Sequence, residues 1–479
     1  MRTRRPKAIN GFVTGILVAA LTVQSGCSKA EPGRSSGVLS SAQAAADVDF
    51  LRDTIEAAHP NPFFHRSRAA FERSISNIRS TLPGSVDAET LYRMLAPVVA
   101  DLGDSHTNLV PYTAAYGDFR DNHGRLFPLE LRVISRRAYV AADYGPERIV
   151  PTGAELTSIQ GMSIPTFLGR LGRFVGAERT ALRDTFVAGG VRAYMWHAGI
   201  VAPFSVDFLG ADGKLHYARL AGATIEAIHA WDNSNAGYNA STPYRLTYAS
   251  ADTVALLTIH SFDDPDGWVE FTRVLVATLR RHKSTSLLID VRNNSGGDTG
   301  ASDALLALFA RREFRDFSEA DTKISEVTKR SYGKDRYSDI YGEDAWSAPN
   351  GTLLRVSGDW QPRAPFGKGF PGRVFILVGA GTFSTAAIFA AAAQDARAAL
   401  ILGQESGGLP TLYGELFDFS LPASALEATV STKYFVRPNG DRSPKGVLPD
   451  HRLVESPPDE PTDPELEAAI AYARGAPSQ

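Results

Sequence analysis

Ser384 stands where an apolar run, VFILVGA (374–380), gives way to GTFSTAAIFAAAAQDA (381–396), a segment of helical character. A serine between a buried strand and a helix has two uses. Its hydroxyl can cap the free N–H groups of the first helical turn, as serine commonly does. It can instead serve as a nucleophile at the sheet edge, with the first N–H groups of the helix, Thr385 among them, and the positive dipole end aimed where an oxyanion develops. A similar junction occurs in IDVRNNSGGDTG (289–300), where Gly296 and Gly297 can take conformations closed to other residues and turn backbone N–H groups into a cleft. That describes half of an oxyanion hole, or a βα turn that needs glycine on geometric grounds. No Lys-Ser/Thr follows and the dinucleotide spacing is missing, so the stretch is not a nucleotide site. A third stretch, DLGDSHTNL (101–109), puts His106 just after a helix with Ser105 beside it. A nucleophilic serine needs a base with a pKa near 7, and histidine supplies one. No His/Cys/Asp/Glu group has metal-ligand spacing, and no cofactor is expected.

The elements that must position these residues are of three kinds. From Val48 to Leu102 the apolar spacing is helical: Phe50, Leu51 and Ile55, then Phe71, Ile75 and Ile78, then DAETLYRMLAPVVADL with its acidic first turn. From Phe127 to about Leu220 the chain reads as short strands with turn residues between them. WDNSNAGYNASTPY (231–244) reads as a connecting loop. Then strand and helix alternate: TVALLTIHSF, WVEFTRVLVATLRRH, SLLIDV, GASDALLALFAR, VFILVGA, STAAIFAAAAQDA, ALILG. That order predicts an α/β layer with buried, largely parallel strands. DPELEAAIAYARG predicts a last helix with Asp463 as N-cap, Pro464 at N1 and Gly475 as stop.

A chain of 479 residues is too long for one ordinary core, and two or three domains are expected. The net charge of −3 and the lack of a large basic block beyond the first seven residues argue against nucleic acid as a partner. MRTRRPK followed by GFVTGILVAALTV reads as an export signal. Removing residues 1–26 takes away four basic residues and leaves a charge of about −7. The only cysteine, Cys27, ends VQSGC, so a disulfide within the chain is impossible. The stretch resembles the lipobox of bacterial lipoproteins, with Gln24 where leucine is usual, and implies lipidation at Cys27 and a membrane tether. Residues 28–46 are small and polar, as a flexible tether would be. The expected location is the cell envelope or periplasm of a bacterium.

Taken in order, DLGDSHTNL, LLIDVRNNSGGD, VFILVGAGTFSTAAIFAAAAQD, LILGQESGG and KGVLPD resemble the C-terminal-processing (tail-specific) serine peptidase family, in its tricorn core and interphotoreceptor retinoid-binding protein-like branch. HPNPFF and GAELTSIQG fit as well, and the resemblance spans roughly residues 48–455. It implies a ClpP/crotonase-like catalytic domain (226–456); in front lie the N-terminal helical region (47–115) and a β region (125–225) whose Gly153 and Gly161 spacing, with a helix after, looks PDZ-like, and behind it a C-terminal tail and helix (457–479). It also implies hydrolysis of peptide or protein substrates. One catalytic layout of the family pairs serine with lysine, but that lysine position falls on Leu409, which cannot accept a proton. The tricorn-like layout uses Ser, His, a Ser beside the His, and a Glu. Ser384, His106 and Ser105 match the first three, and Thr385 with Gly296 or Gly297 would form the oxyanion hole. The Glu position, three before Gly446, holds Ser443; Asp441 is the nearest acid.

Two rival readings stand beside this one. A peptide-binding protein on the same fold could have lost turnover, and the missing Glu favours it. A crotonase-type acyl-CoA enzyme would share the scaffold, but the export signal argues against a cytoplasmic cofactor.

Overall fold

The computed structural model describes residues 37–235, 243–249, 253–365, 368–458 and 463–475. The export signal, Cys27 and the first part of the expected tether, residues 28–36, lie outside them. Among the described residues no helix is long and apolar enough to cross a membrane.

Three helices open the fold: Ser41–Ala58, Arg68–Thr81 and Ala88–Ala100. Each begins on a side-chain cap, from Ser40, Ser67 and Asp87 respectively. The first starts inside the stretch expected to be tether. Ser40 and Gln43 form a reciprocal capping box there, and the alanines that follow are the best helix formers. Small residues thus read as a flexible linker where the cap makes them helical. The buried faces carry the expected residues: Val48, Leu51 and Ile55, then Phe71, Ile75 and Ile78, then Leu91, Leu95 and Val99.

The β region is an antiparallel sheet of six strands, with Leu129–Ile134, Arg137–Asp143, Glu155–Ile159, Phe204–Leu209 and Leu215–Leu220 in spatial order and Met162–Ser163 paired on the third. Between its strands the chain makes three helices, Ile164–Gly172, Thr180–Gly189 and Val191–His197. The stretch IVPTGAELTSIQGMSIPTFLGRL reads as strand, turn, strand and helix, which accounts for the first of these helices and not for the other two. A single buried cluster joins this sheet to the N-terminal helices and reaches Phe383, Phe417 and Val430, so the front half is packed on the back half as one core.

The back half holds two sheets. The first has Tyr244–Tyr248 antiparallel at one edge, then Val254–Ile259, Ser286–Asp290, Arg373–Val378, Leu400–Gly403 and His451–Arg452, all parallel. Leu257, Ile289 and Ile376 face the helices Pro265–Arg281, Thr299–Ala307 and Thr385–Asp395. Leu256, Leu288 and Phe375 face the last helix, Pro464–Gly475, through Ala469 and Ala473. Burial on both faces explains why these strands are continuous apolar runs rather than alternating ones. Asp463 caps the last helix as expected, accepting the Leu466 N–H at 3.0 Å. The helix Ile225–Asn235 occupies the start of the stretch read as a loop, and residues 236–242 lie outside the description.

The second sheet is antiparallel: Leu353–Ser357, Glu319–Lys323, Glu427–Val436 and Leu412–Ser420. The short strand Asn108–Leu109 joins it, with Asn108 opposite Thr429 and Leu109 opposite Ala428. That pairing fastens the turn before it, which carries His106, to the back half of the molecule.

Candidate active site

The strand Arg373–Val378 ends in a tight turn, Gly379–Ser384. The Thr382 hydroxyl donates to Val291 O at 2.7 Å and accepts the Gly379 N–H at 3.0 Å. The Phe383 N–H donates to Asn294 O, and the Gly408 N–H to Thr382 O. So held, Ser384 takes φ 53° and ψ −128°, a region that L residues rarely enter. Such strain persists only where its surroundings impose it. The side chain makes no cap hydrogen bond to the helix that follows. Its Oγ instead lies 3.1 Å from His106 Nε2.

His106 is 5% exposed. Its ring stacks on Phe383 with centroids 4.5 Å apart, and Phe186 meets the same Phe383 edge-on. The turn bearing it is built around the buried Asp104 carboxylate, which accepts the His106 N–H, the Thr107 and Ser431 hydroxyls, and a hydrogen bond with His59 Nε2 at 3.0 Å. Burial would raise the Asp104 pKa, but the hydrogen bond and charge of His59, then His106 and Ser431, outweigh it and hold the carboxyl at about 2. Burial lowers the His106 pKa from its ordinary value, against smaller opposing effects of Asp104 and a backbone hydrogen bond at Tyr413. The imidazole is therefore neutral and able to accept a proton at neutral pH.

The glycine turn approaches from the other side. Gly296 and Gly297 have φ of 109° and 132°. A Cβ on Gly296 would sit 2.7 Å from Ser384 Cβ, and one on Gly297 would meet the Phe262 backbone at 2.5 Å. The two glycines differ in what they can offer. The Gly296 N–H is taken up by Asn294 Oδ1 at 2.8 Å. The Gly297 N–H has no partner among the described residues, and neither has the Thr385 N–H, the first of its helix. Of the two glycines, Gly297 is the available donor. Arg292, just before this turn, is bound to Asp290, Asp463 and Glu465, which ties the turn to the last helix.

Ser105 Oγ lies 3.4 Å from His106 Nδ1. Asp441 and Ser443 are not brought to it. Asp441 is exposed and its carboxylate accepts both the N–H and the hydroxyl of Ser443 at 2.9 Å. The acid beside Ser105 is Glu178, which accepts the Ser105 hydroxyl at 3.0 Å and its N–H at 3.2 Å. Glu178 was not among the residues singled out above, and GAERTALR carries no local signal of it. Leu409, at the lysine position of the other layout, packs with Ile388 and Leu412. Among the described residues no group of His, Cys, Asp and Glu could hold a metal ion.

Residues 253–453 match the model of peptidase family S41. No curated protein matches the sequence. The structure of mature CPAF complexed with lactacystin has a TM-score of 0.67 at 16% identity, covering 91% of this chain and 98% of that one. Mature CPAF alone gives 0.65 at 14%, over 91% and 97%. At these identities the likeness to CPAF is one of fold. The stretch that holds Ser384 is thus matched by the serine-type peptidase family S41, on a mixed α/β architecture shared with CPAF along nearly the whole chain.

Proposed function

We propose that this chain is an exported endopeptidase in which Ser384 is the nucleophile and His106 the general base. The observation that carries this reading is the 3.1 Å approach of Ser384 Oγ to His106 Nε2, made by a serine held in a strained conformation and left free of any capping role.

For Nε2 to accept the Ser384 proton, Nδ1 must carry the ring hydrogen, and Ser105 Oγ is placed to accept it. Ser384 Oγ attacks the scissile carbonyl carbon as its proton passes to Nε2. The carbonyl oxygen becomes an oxyanion and is bound by the Thr385 and Gly297 N–H groups. The imidazolium then protonates the leaving amine, and the C–N bond breaks to give an acyl-enzyme. Water, deprotonated by the same nitrogen, hydrolyses the ester and restores Ser384. Substrates are peptides or proteins, as the family implies. The N-terminal signal and VQSGC support export and lipidation at Cys27, and a Cys27→Ala chain released from membranes would bear that out.

The test is covalent. A fluorophosphonate should label Ser384, identified by peptide mass spectrometry, and His106→Ala should abolish the labelling. A wild-type protein that neither labels nor cleaves any unstructured protein would refute the reading.

A further inference from the structure

Glu178 belongs to a four-residue segment, Gly176–Arg179, that the β region sends into the active site. Each of three of its residues is tied to a different part. The Gly176 N–H donates to Asn108 Oδ1 at 2.8 Å, while Asn108 Nδ2 donates to Ser105 O at 2.9 Å. A Cβ on Gly176 would lie 2.6 Å from Asp104 O, so only glycine lets the segment come this close. Arg179 reaches the other way, to Ser406 O and to Glu405 at 2.8 Å, on the turn that runs along the one carrying Ser384. Between these two anchors Glu178 takes both hydrogens that Ser105 can give. Its second oxygen, Oε2, is buried and has no partner among the described residues.

We propose that Glu178 is the acidic positioning residue of this site, acting through Ser105 on His106 in place of the acid missing at Ser443. The inference rests on the peptidase reading above. The Ser105 hydroxyl has one hydrogen, and Glu178 accepts it. The lone pairs of Ser105 Oγ are thereby turned towards Nδ1–H, which fixes the tautomer that leaves Nε2 free. When His106 becomes an imidazolium, the carboxylate lies one hydroxyl away and stabilises it. Burial, and next the Asp104 charge, push the Glu178 pKa up to about 7, against the Ser105 hydrogen bonds. The ionisable groups around it are Asp104 and His106 on the facing turn and Arg179 on its own segment, which is engaged with Glu405. The acid therefore comes from the β region, and the site is incomplete without it.

The experiment compares wild type, Glu178→Gln, Ser105→Ala and the double variant by fluorophosphonate labelling rate and by kcat/KM against pH. Glu178→Gln keeps the shape and the acceptor oxygen but removes the charge. It should lower both rates about ten- to a hundredfold at pH 8 with KM unchanged. In wild type the rate should fall on the acid side with two protonations, of His106 and of Glu178, and in Glu178→Gln with one. The double variant should be no slower than Ser105→Ala, because the carboxylate acts only through that hydroxyl. Glu178→Gln with wild-type rates and an unchanged pH profile would overturn the proposal while leaving the peptidase intact. Additive losses in the double variant would overturn it too. Should Glu178→Gln fail to fold, Ser105→Ala decides alone: a wild-type rate there removes the bridge the proposal needs. A wild type inert at every pH would sink the peptidase reading and this inference with it.

Discussion

His106 Nε2 and Ser384 Oγ lie 3.1 Å apart although 278 positions separate the two residues in the chain. Neither end of that contact is free to drift. Ser384 is fixed by a turn braced on residues 291–294 and 408, and His106 by the Asp104 cluster and by the pairing of Asn108–Leu109 with the second sheet. Fixing both partners before substrate arrives is what makes such a pair effective, since no reorganisation is then needed during the reaction.

The strain at Ser384 should be measurable as a trade of stability against function. Glycine tolerates φ 53° without a Cβ penalty. Ser384→Gly should therefore be more stable than Ser384→Ala, by about 1 kcal/mol. Both should lose all peptidase activity. Thermal melting of the two variants side by side checks this, and an alanine variant as stable as the glycine one would contradict it.

Gly296 should be intolerant of any side chain. A Cβ there would meet Ser384 Cβ at 2.7 Å, and φ is 109°. Gly296→Ala should displace the serine and lower kcat/KM at least a hundredfold, with a loss of about 1–3 kcal/mol in stability. Activity assays and chemical denaturation of the same preparation read both effects.

The Asp104 cluster should govern acid stability. Its carboxyl titrates at about 2 in the fold, below the ordinary 3.8. A depressed carboxyl contributes stability that is fully present above the ordinary value and is lost as pH falls through the folded one. Wild type should therefore lose stability between about pH 4 and pH 2. Asp104→Asn should be less stable at pH 7, by about 3 kcal/mol, and should show a smaller further loss in acid. It should also slow the reaction, because the carboxylate holds the His106 N–H. Urea melts from pH 2 to pH 7 on both proteins test the sign.

Arg292 should be needed for the glycine turn as well as for the last helix. Its guanidinium joins Asp290, Asp463 and Glu465, and Arg132 of the β region adds a longer-range pairing to Glu465 at 3.5 Å. Arg292→Ala would take the guanidinium from the buried Asp290 and leave Glu465 only the longer pairing with Arg132, and should cost about 3–5 kcal/mol. Hydrogen exchange should show residues 463–475 opening first. Unchanged protection of that helix would contradict the assignment.

Much of the site was legible because chemistry and secondary structure leave local marks. A strand–turn–helix junction with one serine, two adjacent glycines at a strand end and a Ser-His pair after a helix each pointed to a backbone position as well as to a residue. The choice between cap and nucleophile for Ser384 was not legible. It depends on φ and on what the hydroxyl meets, and the turn that sets both is held by residues 291–294 and 408. Likewise Gly296 and Gly297 look alike in the sequence, and only the Asn294 side chain tells them apart, by taking the hydrogen of one.

The sequence by itself determined the helical entry region, the alternating strand and helix order, the capped last helix and the residue types of a serine peptidase, because periodicity and turn chemistry act over a few residues. The tertiary structure alone decided which acid lies beside Ser105. Ser443 and Asp441 sit near the expected motif and meet each other. Glu178 sits 73 residues from Ser105 and meets it. The family match begins at residue 253, so His106, Ser105 and Glu178 all lie ahead of it. A carboxylate works through space on the group it touches, and that contact is made by packing the β region against the back half, which no spacing in the sequence records.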